Sequence, residues 1–213
     1  MILRTTVVLL FLMQFCQGQD IAVLKYSGGG DWYSNPSALE NLAAFCNKEI
    51  NTSLSATPKV VTPSSIDIFE YPFLHMTGHG NVLFSEQDVE NLRAYLNSGG
   101  FLHIDDNYGM DQYVRGEISK LFPNQELKEL AANHPIFLTP FKFQKGLPKI
   151  HEHDKARAQG FVIEKQGRIV LLYTFESDLG DGWEDKEMHN DPADVRLKAL
   201  RMGANIITYA FEH

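Results

Sequence analysis

Histidines, aspartates and glycines recur where apolar runs of this chain end, and these residue types carry much proton-transfer and metal chemistry. Gly78-His79-Gly80 sets a histidine between two glycines, where its ring could carry a proton or hold a metal. His103-Ile104-Asp105-Asp106-Asn107-Tyr108 ends another run. On a strand, alternation places His103 and Asp105 on one side and Ile104 on the other. Adjacent carboxylates at a buried strand end are costly unless paired, protonated or bound to a cation. Arg115 is the candidate partner. His79, Asp105 and Asp106 are therefore the candidate acid/base groups, whereas His75, inside its run, reads as a core histidine.

Two further stretches concern ligands. Gly28-Gly29-Gly30-Asp31-Trp32-Tyr33 either lets backbone amides approach a ligand or forms a tight turn with packed aromatics; it matches neither dinucleotide nor P-loop spacing. His151-Glu152-His153 presents two histidines at i, i+2, so one strand face could offer both to a divalent metal. Glu176–Asp191 holds seven acids and one lysine. It reads as a solvated loop or, with His151, His153 and Glu184, as a metal site, although it lacks EF-hand spacing.

The elements that must position these groups alternate strand and helix. Residues 21–26, 59–61, 73–76 and 101–104 read as strands. A helix opens at Asn35-Pro36 and buries Leu39, Leu42, Ala43, Cys46 and Ile50 on one face. A second is capped by Ser85 with Asp88 three residues on, a third covers 111–122, and a last one opens at Asp191-Pro192. Residues 161–163 and 169–173 flank Gln166-Gly167 as a hairpin. Residues 124–155, broken by prolines, read as an insertion or cover.

Such alternation predicts a mostly parallel sheet with helices on both faces. In these sheets ligands bind beyond the strand carboxyl ends. The loops there, 27–33, 77–81, 105–110 and 174–189, are the ones rich in Gly, His, Asp and aromatics. Ligand contacts are expected from Gly28, Gly29, Gly30, Asp31, Trp32, Tyr33, Gly78, Gly80, Asn107, Tyr108, Asp181 and Trp183.

Composition narrows the partners. The chain has 213 residues, 44% hydrophobic, with Lys+Arg 19 against Asp+Glu 27 and a formal charge of −8. The acid excess argues against a nucleic-acid backbone as partner. Residues 1–18 read as a signal peptide: Arg4, then an apolar run from Val7 to Phe15 too short to span a bilayer. Lipidation at Cys16 is the alternative, without a lipoprotein box to support it. Export to the periplasm or cell envelope follows, with no transmembrane segment in the mature chain. Residues 19–213 would then form one α/β domain, and Cys46 would be the sole remaining cysteine.

Several stretches together resemble the bacterial family called domain of unknown function 4159. They are Gly28–Tyr33, Met76–Gly80, Gly99–Asp106, Gly146–His153, Asp178–Asp185 and Ala199–Asn205. The resemblance implies a flavodoxin-like fold similar to class I glutamine amidotransferases, and no established reaction. Those enzymes carry a nucleophilic cysteine after the fourth strand. Here that turn is Asp106-Asn107-Tyr108-Gly109-Met110, so thiolate hydrolysis of glutamine is not expected. Two functions stay open: binding a small ligand or an envelope protein partner, or metal- or carboxylate-assisted hydrolysis of a small polar or envelope-derived substrate.

Overall fold

Apolar runs build seven strands in the computed structural model, which describes residues 20–213. The expected leader, residues 1–18, lies outside the described residues. The strands are β1 Ile21–Leu24, β2 Lys59–Val61, β3 Phe73–Gly78, β4 Phe101–Asp106, β5 Lys128–Glu129, β6 Gln159–Lys165 and β7 Arg168–Phe175. They form one sheet in the order β2-β1-β3-β4-β7-β6-β5. The first five strands of that order run parallel. β6 and β5 extend the sheet antiparallel beyond β7. The parallel part has the flavodoxin-like order, which reverses direction between β1 and β3.

The helices cover both faces. α1 (Ala38–Glu49) and α6 (Ala193–Glu212) bury Leu39, Leu42, Met202 and Ile206 against Phe73 and Phe101. α2 (Glu86–Asn97) and α3 (Asp111–Leu121) bury Leu92, Leu96, Val114 and Ile118 against Leu74, Leu102 and Ile104. Alternation along β3 and β4 decides which side chain meets which helix layer. Ser85 caps α2 as its spacing predicts. Its hydroxyl accepts from the Asp88 N–H at 3.2 Å, and Asp88 Oδ2 accepts from the Ser85 N–H at 2.9 Å.

Three local expectations need correcting. α1 begins at Ala38, because Asn35 is taken up by tertiary hydrogen bonds and Pro36-Ser37 form a turn. The acidic stretch after β7 is not one solvated loop. It contains α4 (Leu179–Trp183) and α5 (Lys186–His189), and Glu176, Asp178 and Glu184 are buried. Arg115 is not the partner of Asp105 or Asp106. It pairs with Asp111 at 2.7 Å and lies over the Phe161 ring.

Within residues 124–155, Ile136, Phe137 and Leu147 enter the α1–α6 core. The Asn205 carboxamide on α6 holds this segment. It donates to the Ile136 and Phe141 carbonyls at 3.0 and 2.7 Å. Cys46 faces the same core with no exposure, and burial pushes its thiol up to about 12. Only the thiolate reacts with alkylating agents. Iodoacetamide at pH 8 should therefore leave native Cys46 unmodified and label it once urea unfolds the chain, as mass spectrometry of the Cys46 peptide would show. Labelling of the native protein would contradict the packing of α1.

Candidate functional site

The carboxyl ends of β1, β3, β4 and β7 deliver polar side chains to one edge of the sheet. Thr77 and Asp105 are register partners on β3 and β4, as are Asp105 and Thr174 on β4 and β7. Asp105 has no exposure. Its Oδ1 meets the Thr174 hydroxyl in a short hydrogen bond, and its Oδ2 accepts from the Gly180 N–H at 2.6 Å. That second bond anchors the start of α4. A Cβ at Gly180 would lie 2.9 Å from Asn35 Oδ1 and 3.2 Å from Asp105 Oδ2, so glycine is what lets the amide come this close.

Desolvation pushes the Asp105 carboxyl up to about 8, and the charges of Asp178 and Asp181 add to the effect. Asp105 is thus held mostly protonated at neutral pH. Asp106 points to the other face of the sheet. Desolvation raises it to about 6, while it accepts from the Met110 N–H at 2.9 Å and secures the turn into α3. The two adjacent carboxylates are therefore separated by the strand pleat, and each has a local anchoring role.

Asn35, unremarked as a ligand in the sequence, is the hub of a second network. Its Nδ2 donates to Asp181 Oδ1 at 2.7 Å, and its Oδ1 accepts from Asn107 Nδ2 at 2.6 Å. The Thr77 hydroxyl lies 3.0 Å from Asn35 Oδ1 and 3.1 Å from Asn107 Oδ1. This ties the loop after β1 to the ends of β3 and β4 and to α4.

The histidines sort into three groups. His75 and His103 are buried between the sheet and α4, with their Nδ1 atoms 3.0 Å apart. His103 Nε2 lies 3.1 Å from the Thr174 hydroxyl. Desolvation takes both rings well below the usual imidazole range, His75 to about 3, so both are neutral. His75 is a core histidine, as expected. His79 is exposed and pairs with Asp31 at 3.0 Å at the crevice between β1 and β3. It has no hydrogen bond to Asp105. Burial works against ionisation of Asp31, but the His79 N–H and ring outweigh it and hold that carboxyl below its ordinary value.

The third group gathers at the outer rim. His151 Nδ1 lies 3.2 Å from Asp181 Oδ2, and its Nε2 lies 3.0 Å from Asp191. His153 makes a short bond to Asp178 and stacks on the exposed Tyr108 ring, with centroids 4.5 Å apart. His151 and His153 meet at one carboxylate, since Asp178 Oδ2 also lies 3.5 Å from His151 Nδ1. Glu184 is 1% exposed and turns inward to the Ser37 N–H and His189. In its place His189 joins His151 and Asp181, each of the three offering a ligand atom within 4.8 Å of the others. His189 does not stand out locally, and Asp191 reads only as part of a helix start. Both lie in the acidic stretch, 38 or more positions from His151.

Two sets of expected ligand contacts have structural duties. Trp183 has no exposure; it packs on His75 and His103 and donates from Nε1 to the Ala199 carbonyl at 2.9 Å. It is core and unavailable to a ligand. Gly28 and Gly30 lie against the 79–83 loop. Cβ atoms there would sit 2.8 Å from Leu83 N and 2.7 Å from Asn81 O, so their close approach is to backbone. Trp32 and Tyr33 do line a groove of about 320 Å³ that reaches Asn35 and runs along α1. Gly29 and Gly80 sit in open space.

Residues 20–211 match a family model described as a domain of unknown function, DUF4159. No curated protein matches the chain. Among the described residues no helix is long and apolar enough to cross a membrane.

Proposed function

The chain belongs to the DUF4159 family, whose description assigns no reaction, and from that premise we propose that it binds a small polar ligand at the strand carboxyl edge without thiolate amidotransferase chemistry. One observation carries this reading. A buried layer of Asp105, Thr77, Asn35 and Asn107 holds a rim of partly exposed side chains, among them Tyr108, His151, His153 and Asp181. Fixed donors and acceptors above a rigid floor lose little entropy when a ligand arrives. The topological switch between β1 and β3 puts this edge where open α/β sheets place their ligands. If the fold is read as amidotransferase-like, the nucleophile would fall in Asp106–Met110, which has no cysteine, and Cys46 is sealed in the core.

A second reading, carboxylate-assisted hydrolysis, is favoured by the contrast between Asp105 and Asp181. Asp105 is held neutral. Burial opposes ionisation of Asp181 as well, but His151 and Asn35 outweigh it and keep that carboxyl ionised. A neutral and an ionised carboxyl side by side is the arrangement of an acid and a base. Against this reading, Asp105 itself reaches no solvent. The apolar run at Val7–Phe15 supports placing this function in the bacterial envelope, where an envelope protein could be the ligand's carrier.

The test is thermal-shift titration of the purified protein with free amino acids, dicarboxylates and cell-wall muropeptides. At least one class should raise the midpoint in a concentration-dependent way, and Tyr108→Ala should abolish the rise. No shift with any class would overturn the reading. Incubation with glutamine should release no ammonia above buffer.

A further inference from the structure

We propose that His151, Asp181 and His189 hold a divalent first-row transition-metal ion of the zinc class, with the Asp178 carboxylate completing the set. The argument rests on which atom of each side chain is already engaged. His151 Nε2 faces the Asp191 carboxylate at 3.0 and 3.2 Å, which turns Nδ1 to the side of Asp181 and Asp178. His189 Nε2 lies 3.2 Å from Glu184 Oε2, leaving Nδ1 3.8 Å from Asp181 Oδ2. Asp181 Oδ1 accepts from Asn35, leaving Oδ2 3.2 Å from His151 Nδ1. Each residue thus has its outer atom held by a neighbour and its inner atom aimed at a common point. That is the pattern of a metal ligand oriented by an outer layer.

The spacing suits the ion. Bonds of about 2.0–2.2 Å in a tetrahedral set place donor atoms roughly 3.3–3.6 Å apart. The 3.2 and 3.8 Å separations straddle that range. Two imidazoles with carboxylates suit zinc, iron or manganese, whereas calcium and magnesium favour all-oxygen sites.

A second, independent observation points to the same place. Asp178 has no exposure, and among the described residues its Oδ1 has no hydrogen-bond partner. Its Oδ2 meets His153 Nε2 in a short bond and lies 3.5 Å from His151 Nδ1. A fully buried carboxylate oxygen without a partner is costly, and the carboxyl that carries it borders the His151 donor atom. The site lies on the edge assigned to the ligand above, but it does not depend on that assignment, because the test reads metal binding alone.

The full chain, stripped with EDTA and dialysed, is titrated with Zn²⁺ by calorimetry. One equivalent should bind at micromolar Kd or tighter and raise the thermal midpoint. Co²⁺ in its place should give the intense visible absorption of a four-coordinate ion. His189→Ala alters an exposed residue and should leave the circular dichroism unchanged while weakening zinc binding by more than about 100-fold. Asp191→Asn should weaken it by about 10- to 100-fold, as expected for an outer-layer partner. His213→Ala, far from the set, should bind as the unaltered chain does. Absence of zinc binding, or binding that His189→Ala leaves intact in a folded protein, would overturn the proposal.

Discussion

Replacing Asp105 by Asn should stabilise the metal-free protein by about 3 kcal/mol at pH 8, with the gain shrinking toward nothing near pH 4. Asp105 has no exposure, and burial takes its carboxyl from 3.8 to about 8. The folded chain therefore keeps a proton that the unfolded chain releases above pH 4. Stability from this group is present below the unfolded value and is lost as pH rises toward about 8. Each unit of difference is worth about 1.4 kcal/mol, so the full span reaches several kcal/mol, and about 3 allows for the opposing hydrogen bonds of a relaxed structure. Asparagine copies the neutral acid. Its carbonyl can accept from Gly180 N–H and its amide can donate to the Thr174 hydroxyl. In a chain of this size the gain amounts to a midpoint rise of about 6–12 °C. Thermal unfolding in EDTA across pH 4–8 measures it. A gap that does not change with pH, or a loss at every pH, would show that the Asp105 charge is compensated and that the neutral-acid description is wrong.

Trp183→Ala should cost about 3–5 kcal/mol, the range for deleting a large aromatic from a packed core. The indole packs on both the His75 and His103 rings, and a Cβ on Gly203 would lie only 2.9 Å from it. Its removal also leaves the Ala199 carbonyl without its indole donor. α4 would lose its hold on α6, and with it the Gly180 amide that meets Asp105. Urea unfolding followed by circular dichroism gives the value. A cost below about 1 kcal/mol would return Trp183 to the ligand contacts that its neighbours in the sequence suggested.

Legibility differed from one stretch to the next. β2 has the predicted bounds, and the α2 cap is the predicted one, because period-two runs and a Ser-x-x-Asp cap are local signals. The Gln166-Gly167 turn is where it was expected, with both residues at positive φ. α4 and α5 were illegible. At five and four residues they carry no periodicity, and α4 is held by Asp105, 75 positions away. Asn35-Pro36 carries a local helix-start signal. The Asn35 carboxamide instead spends its hydrogen bonds on Asp181 and Asn107.

The amino-acid sequence by itself determined the alternation of strands and helices and which chemical groups stand at the strand carboxyl edge. Both follow from patterns a few residues long. Only the tertiary structure decided which of those groups meet. Strand order set Asp105 beside Thr174, the pleat sent Asp106 to the opposite face, and the packing of Trp183 brought Asp178, Asp181 and His189 up to His151. Burial then decided the charge states, because desolvation depends on neighbours that come from distant parts of the chain. The seven acids of Glu176–Asp191 looked alike in sequence. Folded, Asp178 is sealed in without a full set of partners, Asp181 is held ionised, and Glu184 orients a histidine.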